Sequence, residues 1–265
     1  MKYITTLTIA GSDPSSGAGI QADLKTFSAL GCYGLTVITA LTAQNTQGVK
    51  GIHEIPAKFV ELQLKTLFSD IHIDAVKIGM IFSKECIQTV VNQLKQFAPK
   101  YVILDPVMTA QGGCHLIKKD SLDCLRSDLF PLSDIVTPNI PEAMAITGQS
   151  IDSVDDMKTA ARSIANYGCK TVLIKGGHLK GTACIDILYF PKHDRFILFE
   201  SKKIESSHTH GTGCTLSSAI AAYVAKGNSI EQAVMLSKQF IEKAIQSGKY
   251  YSLGKGNGPL NHFFK

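Results

Sequence analysis

The feature of this sequence that most constrains its fold is the alternation of short apolar runs with segments of helical periodicity. The apolar runs, most of them rich in β-branched residues, predict strands at 4–10, 36–40, 75–78, 101–104, 135–136, 171–174 and 185–190. Segments such as 154–167, whose apolar residues recur every three or four positions, predict helices between most of them. Near-continuous apolar strands separated by helices are typical of a parallel sheet. We therefore predict an α/β fold, with a mostly parallel central sheet and helices on both faces.

Polar residues, or glycines beside polar residues, follow nearly every predicted strand. They are found at 11–13, 79–80, 105–106, 137–139 and 175–177. Open parallel sheets bind ligands at the carboxyl ends of their strands, so these segments are the candidates for a binding site. The sequence shows no linker, low-complexity tract or internal repeat, and it predicts a single domain over residues 1–265.

Charge and cysteine usage narrow the class of protein. The sum of 27 Lys and Arg against 22 Asp and Glu gives a net charge of +5, and the basic residues are scattered. This argues against a nucleic-acid partner and fits an enzyme that handles anionic phosphates. No apolar run approaches the ~20 residues needed to span a membrane. The 7 cysteines are dispersed without a Cys-x-x-Cys pair, which disfavours disulfide and zinc frameworks and predicts a cytoplasmic protein.

The most informative motif is the segment 208–215, His-Thr-His-Gly-Thr-Gly-Cys-Thr, which directly precedes a helix-like stretch at 216–225. Its glycines let backbone N–H groups turn toward one point, and a helix behind them adds its positive end, which together suit a phosphate or a developing anion. A thiol at a helix N-terminus has a lowered pKa, so Cys214 can act as a base or nucleophile. The alternatives are a tight helix-entry turn and a small buried hydrophobe.

Four further polar residues stand at or just after the ends of predicted strands: Asp105, Asn139, Glu142 and Lys175. Carboxylates in such places can hold Mg²⁺ beside substrate phosphates, and a lysine can pair with a nucleotide phosphate. The alternatives are a solvated turn for Asp105, a helix cap for Asn139 and a surface position for Lys175.

Several common functional signatures are missing. The glycine-rich segment 11–19 fits neither the dinucleotide-binding nor the P-loop pattern. The sequence also lacks the patterns of zinc proteases, EF-hands and nucleophile-elbow hydrolases.

Taken together, several motifs in one order resemble the ribokinase superfamily, and within it the hydroxymethylpyrimidine/phosphomethylpyrimidine kinases of thiamine biosynthesis. The motifs lie at 10–31, 39–46, 77–80, 105–108, 137–142, 175–178, 210–215 and 254–259, so the resemblance covers the whole chain. It implies a ribokinase-like fold and an ATP- and Mg²⁺-dependent kinase. Such an enzyme phosphorylates 4-amino-5-hydroxymethyl-2-methylpyrimidine on its hydroxyl and then converts the monophosphate to the diphosphate. It also implies small-molecule partners and a homo-oligomer, commonly a dimer.

The resemblance assigns roles at the substrate end of the site. Asp23 and Gln44 would hydrogen-bond the aminopyrimidine, while Gly11 and Met80 would line its pocket. An aminopyrimidine offers an amino donor and ring-nitrogen acceptors, which suits a carboxylate and an amide.

The resemblance also assigns the transfer machinery. The anion hole would be formed by Gly211, Thr212 and Gly213, and Cys214 stands where most superfamily members carry an aspartate base. Phosphoryl transfer needs mainly positioning and charge neutralisation. The groups that would supply these on the ATP side are Asn139 and Lys175 for the phosphates, and Asp105 and Glu142 for Mg²⁺.

Two other functions are weighed against this one. Some relatives are pyridoxal kinases with a second cysteine in a lid after the Asp-Pro-Val-Met motif, and that cysteine aligns with Ala110, four residues before Cys114. Cys114 is then either delivered by a mobile lid or an inert loop thiol, and pyridoxal kinase is the alternative function. A catalytically silent sensor would have lost the anion hole, the base or the carboxylates, all of which this sequence retains.

Overall fold

The structure is a computed structural model, and it describes residues 2–110, 113–118, 120–179 and 182–264. Within them, nine strands form one sheet in the order β3-β2-β1-β4-β5-β6-β7-β8-β9. The strands are β1 (Thr5–Ser12), β2 (Tyr33–Asn45), β3 (Gly48–Glu54), β4 (Ala75–Ile78), β5 (Val102–Leu104), β6 (Ile135–Val136), β7 (Val172–Ile174), β8 (Ala183–Phe190) and β9 (Arg195–Lys202). All seven predicted strands are present, and β3 and β9 are additional.

The middle of the sheet is parallel and its two edges are antiparallel. Strands β2, β1, β4, β5, β6 and β7 pair in parallel. Strand β3 runs antiparallel to β2, and the hairpin β8–β9 runs antiparallel to β7. The carboxyl ends of the central strands therefore meet along one edge, as the pattern of polar residues predicted.

Helices cover both faces of the sheet. They are α1 (Gly19–Ala29), α2 (Ala57–Asp70), α3 (Lys84–Phe97), α4 (Ser121–Cys124), α5 (Ile140–Thr147), α6 (Val154–Ala165), α7 (Thr212–Ala225) and α8 (Ile230–Gly248). One buried cluster joins the sheet to α2, α3, α5 and α6, and a second joins its other face to α1, α7 and α8. This confirms the predicted fold class. No helix among the described residues is long and apolar enough to cross a membrane.

Strand β4 shows how the two faces receive different side chains. Val76 and Ile78 pack into the cluster under α2 and α3, because alternate residues of a strand point to the same face. Lys77 points to the opposite face, where α1 and α7 lie, and its side chain is fully buried. A charged group is thereby placed under the start of α7, beside the candidate site.

Candidate active site

The carboxyl ends of the parallel strands open into a cavity of about 750 Å³, a size that suits small-molecule ligands. Every predicted site residue except Asp23 lines it: Gly11, Gln44, Met80, Asp105, Asn139, Glu142, Lys175, Gly211, Thr212, Gly213 and Cys214. The fold thus brings residues from seven segments of the chain to one place.

The start of α7 is built from glycines for steric reasons. Gly211 has φ +86°, and a Cβ there would overlap the carbonyl oxygen of Gly17. A Cβ on Gly213 would come within 3.3 Å of Lys175 Nζ and 3.4 Å of Asp105 Oδ2. No side chain of the described residues caps this helix, so its first N–H groups are left to backbone acceptors and to ligands. An uncapped, glycine-built helix start suits an anion, and the anion-binding role of this turn stays a prediction.

The thiol of Cys214 differs from the expectation. Its pKa is raised to about 11, because burial disfavours the thiolate more than the nearby Lys77 ammonium favours it. The predicted lowering of this pKa is therefore wrong. The sequence showed the helix N-terminus but not the depth at which the thiol lies.

A lysine and two carboxylates form the opposite wall. Lys175 Nζ lies 2.8 Å from Asp105 Oδ1 and 3.9 Å from Glu142 Oε2. Burial raises the pKa of Glu142 to about 7, and repulsion from Asp105 adds to the rise against the attraction of Lys175. For Lys175, burial would lower the pKa, but Asp105 and Glu142 outweigh it and the pKa is raised. The lysine is a permanent cation within reach of the glycine turn.

Asn139 and Glu142 are joined in a capping box at the start of α5. Glu142 N donates to Asn139 Oδ1 at 2.9 Å, and Asn139 N donates to Glu142 Oε2 at 2.8 Å. The helix-cap alternative for Asn139 is thus correct. It does not remove either residue from the cavity wall, because the cap fixes both side chains there.

The described residues contain no group of three or more His, Cys, Asp or Glu arranged to hold a metal ion. Mg²⁺ usually keeps several waters and takes one or two protein carboxylates together with substrate phosphates. Asp105 and Glu142, on either side of Lys175 Nζ, could supply the two carboxylates of such a Mg²⁺ site.

At the other end of the cavity, Gly11, Met80 and Gln44 form the wall that the resemblance assigns to the pyrimidine. A Cβ on Gly11 would come within 2.8 Å of Met80 Sδ, so the glycine allows the methionine to close over it. Gln44 lies near the end of β2, and its amide faces the same space.

Asp23 does not line this cavity. Its fully buried carboxylate accepts hydrogen bonds from Thr8 Oγ1 (2.6 Å), Ser218 Oγ (2.7 Å) and Lys77 Nζ (2.8 and 3.0 Å). The prediction that Asp23 contacts the pyrimidine directly is therefore wrong, because its carboxylate is used by protein groups beneath the cavity floor. Lys77, which the sequence reasoning missed, does reach the floor. Its signal was a lysine inside an otherwise apolar strand.

His210 and Asp13 are also functional candidates that were missed. His210 Nε2 lies 2.8 Å from Asp13 Oδ2, and both side chains are buried. The pair joins the glycine-rich segment after β1 to the turn before α7. The sequence interpretation treats His210 as a loop residue although it shares ligand spacing with His208, yet its place next to Gly211 was a signal.

The predicted lid covers roughly residues 109–116, and the structure describes all of them except Gln111 and Gly112. Thr109 and His115 pair as an isolated bridge, and Ala110 N donates to Cys114 O at 2.8 Å. Ala110 lines the cavity, while Cys114 does not. The thiol of Cys114 instead donates to the carbonyl oxygen of His115 at 3.7 Å.

The cavity therefore combines three features. They are the glycine turn before α7, which suits a phosphate, Lys175 with its two carboxylates, and the hydrogen-bonding amide of Gln44. Such a site holds a phosphoryl donor and a small acceptor together. On this evidence the protein is a small-molecule kinase with a ribokinase-like fold. It belongs to the phosphomethylpyrimidine kinase family, whose model matches residues 13–261.

Curated relatives agree with this membership. A protein from Rhizobium meliloti named hydroxymethylpyrimidine/phosphomethylpyrimidine kinase is 44% identical over 98% of this chain and 97% of its own length. The thiamine biosynthesis bifunctional protein ThiED of Geobacter sulfurreducens is 48% identical over 97% of this chain. The chain spans 51% of that second protein.

Two solved structures illustrate the range of similar folds. The phosphomethylpyrimidine kinase of Clostridium difficile matches with a TM-score of 0.81 and 49% identity, over 91% of this chain and 99% of that one. An ADP complex of Bacillus subtilis pyridoxal kinase matches with a TM-score of 0.91 and 36% identity, over 98% of both chains. The fold is thus shared with kinases of two vitamin precursors.

Proposed function

We propose that residues 1–265 act as one kinase domain that phosphorylates 4-amino-5-hydroxymethyl-2-methylpyrimidine and then its monophosphate, using ATP and Mg²⁺, in thiamine biosynthesis. The observation that carries this proposal is that Gln44 faces the same cavity as the glycine turn and Lys175. An amide that reads an aminopyrimidine therefore stands beside the groups that neutralise a phosphoryl group. The names of the full-length relatives support the same substrate.

The phosphoryl group is bound by charge and by backbone donors. In this scheme the predicted anion hole, formed by Gly211, Thr212 and Gly213, binds the transferring phosphoryl group, and Lys175 pairs with its oxygens. Asn139, whose amide oxygen is used in the cap, offers its amide nitrogen to ATP. Asp105 and Glu142 would hold Mg²⁺ through its waters, and the ion would neutralise charge on the phosphates of ATP.

Cys214 is the proposed base for the substrate hydroxyl. A thiol with a pKa of about 11 is neutral at pH 7, so only a small thiolate fraction can accept the proton. Lys77 beneath it favours the thiolate and raises that fraction. Asp23 acts in this scheme by holding Lys77 rather than by touching the pyrimidine.

Pyridoxal kinase is the second candidate, because the match to the Bacillus subtilis enzyme is close in structure. The position of Cys114 outside the cavity wall argues against it as the main activity. ATP consumption with the hydroxymethylpyrimidine and separately with pyridoxal, with phosphates per product counted by mass spectrometry, separates the two. Two phosphates on the pyrimidine are expected. Fast pyridoxal turnover without a pyrimidine diphosphate would overturn the proposal.

We propose further that the protein works in the cytoplasm as a homo-oligomer, commonly a dimer in enzymes of this kind. Light scattering coupled to size-exclusion chromatography measures the mass directly. A mass near 28.6 kDa at working concentration would contradict the oligomer.

A further inference from the structure

The orientation of the Gln44 amide is fixed by neighbours at both of its ends. Its Nε2 lies 3.3 Å from His210 Nε2, and its Oε1 lies 3.2 Å from Thr42 Oγ1. Exchanging the amide nitrogen and oxygen leaves every heavy-atom position unchanged, so the hydrogen-bond network decides which is which. The choice matters because it sets the order of donor and acceptor that a ligand meets.

The first constraint comes from Asp13 and His210. Asp13 Oδ2 lies 2.8 Å from His210 Nε2 and also accepts from the N–H of Ala18 at 2.9 Å. Burial raises the pKa of Asp13, but the hydrogen bonds from His210, Ser15 and Ala18 outweigh it, so the pKa is lowered and the group is ionised. An ionised carboxylate only accepts, so His210 Nε2 carries a hydrogen. That nitrogen cannot accept from an amide NH₂ as well, so the amide oxygen, which can share this hydrogen with Asp13, is the end that fits beside it.

The second constraint comes from Thr42 and is independent of the first. Thr42 Oγ1 has one hydrogen, which it donates to the carbonyl oxygen of Ser12 at 2.9 Å. It therefore meets Gln44 as an acceptor, and the amide group facing it must be the nitrogen. Both ends therefore place the amide oxygen beside His210 and the amide nitrogen beside Thr42. The opposite orientation would set two donors against each other at His210 and two acceptors against each other at Thr42.

We infer that His210, held by Asp13, and Thr42 are positioning residues that fix the orientation of the Gln44 amide. The amide oxygen of Gln44 then faces the α7 turn, and its amide nitrogen faces Thr42. This inference rests on the proposed function and adds to it the register in which the ring is read. The amide oxygen accepts from the exocyclic amino group, and the amide nitrogen donates to the neighbouring ring nitrogen.

The register also explains where the reacting group points. In this substrate the hydroxymethyl group is on the carbon next to the one that carries the amino group. If the amino group lies on the His210 side, the hydroxymethyl group extends further the same way, toward Gly211 and Cys214. The opposite amide orientation would turn the ring so that the hydroxyl points away from the turn.

The test is discrimination against the 4-oxo analogue, which has nearly the same shape but presents a carbonyl acceptor and a ring N–H donor. A locked Gln44 meets both groups with the wrong partner, so the wild-type protein is expected to prefer the amino compound by at least about 10² in kcat/KM. In His210→Leu and in Thr42→Val the amide can turn. Each variant is expected to lower the preference about tenfold or more, with the KM for ATP unchanged.

Two controls separate this role from a structural one. His210→Gln keeps an N–H donor near Asp13 and is expected to keep the preference. In a Gln44→Leu background, His210→Leu should leave the preference unchanged, because the group it orients is gone. If His210→Leu does not fold, nitrogen-15 NMR of the wild-type histidines still reports whether Nε2 of His210 carries a hydrogen.

An unprotonated Nε2, or an unchanged preference in both His210→Leu and Thr42→Val, would overturn the inference. A wild-type protein that phosphorylates neither compound would instead overturn the proposed function. The NMR measurement would then still decide the orientation of Gln44.

Discussion

At the scale of single residues, the sequence predicted the side chains that stand directly after strands better than those that lie beneath them. Asp105 and Lys175 follow β5 and β7, so the sheet alone brings them together. Asp23 was misplaced because its partners come from β1, β4 and α7, and pairing over such distances leaves no local pattern. The pKa of Cys214 was mistaken for the same reason, since burial is a property of the folded chain.

The Cys214 base is tested by the pH dependence of turnover. Cys214→Ala should lower kcat by about 10²–10⁴ while pyrimidine binding is largely retained. For the wild type, kcat/KM should rise with pH from 7 to 10, because the thiolate fraction grows about tenfold per unit below a pKa of about 11. Cys214→Asp should remove this rise, since a carboxylate is ionised throughout. A flat wild-type profile, or unchanged turnover in Cys214→Ala, would contradict the assignment.

The buried ion pair of Lys77 and Asp23 makes a prediction about stability. Lys77→Met leaves the Asp23 carboxylate fully buried with hydroxyl partners only, and should lower the free energy of unfolding by about 3–5 kcal/mol. The double variant Lys77→Met, Asp23→Asn removes both charges and should recover much of that loss. Urea denaturation measures both, and equal losses in the single and double variants would count against the argument.

At the scale of secondary-structure elements, the apolar runs located the central strands but missed the edges. Strand β3 contains two glycines and no fully buried residue, because it lies at the edge of the sheet and needs no continuous apolar run. Strand β9 follows β8 after a short turn and completes a hairpin at the other edge. Edge strands are harder to find because only part of each is buried.

The importance of close packing at the turn before α7 can be tested by adding a single Cβ atom at Gly211. Gly211→Ala should lower kcat about 10²-fold or more, because both the positive φ and the overlap with Gly17 displace the helix start. Gly31→Ala is the matched control. Gly31 has φ +76° but nothing within 4 Å of its added Cβ, so only a stability loss of about 1 kcal/mol is expected. Similar activities for the two variants would show that overlap at the turn is unimportant.

The bridge between Thr109 and His115 gives a prediction about specificity. Ala110 lines the cavity at the place where the resemblance puts the second cysteine of pyridoxal kinases, whereas Cys114 does not line it. Ala110→Cys is therefore expected to raise pyridoxal turnover about tenfold or more, and Cys114→Ser to leave it unchanged. Loss of pyridoxal turnover in Cys114→Ser would mean that this segment moves and brings Cys114 to the substrate.

At the scale of the whole molecule, the two helical layers bury several thiols, and this makes the fold sensitive to alkali. Burial raises the pKa values of Cys86 and Cys169 to about 12. The unfolded chain loses these protons near pH 9 while the folded chain keeps them, so stability falls as pH rises above 9. Each thiol contributes a slope of about 1.4 kcal/mol per pH unit. Denaturant titrations at several pH values should show a shallower slope for Cys169→Ala than for the wild type, and equal slopes would contradict this cause.

The contact between Gly17 and Gly211 has a practical consequence for redesign. A Cβ on Gly211 would overlap the carbonyl oxygen of Gly17, and a Cβ on Gly17 would overlap the His210 ring. Libraries that randomise either position singly would consist almost wholly of inactive members, whatever acceptor is selected for. Variation aimed at a new acceptor belongs on the walls of the cavity, at positions such as Val107 and Ala110, where a changed side chain alters the shape of the space and leaves the transfer chemistry in place.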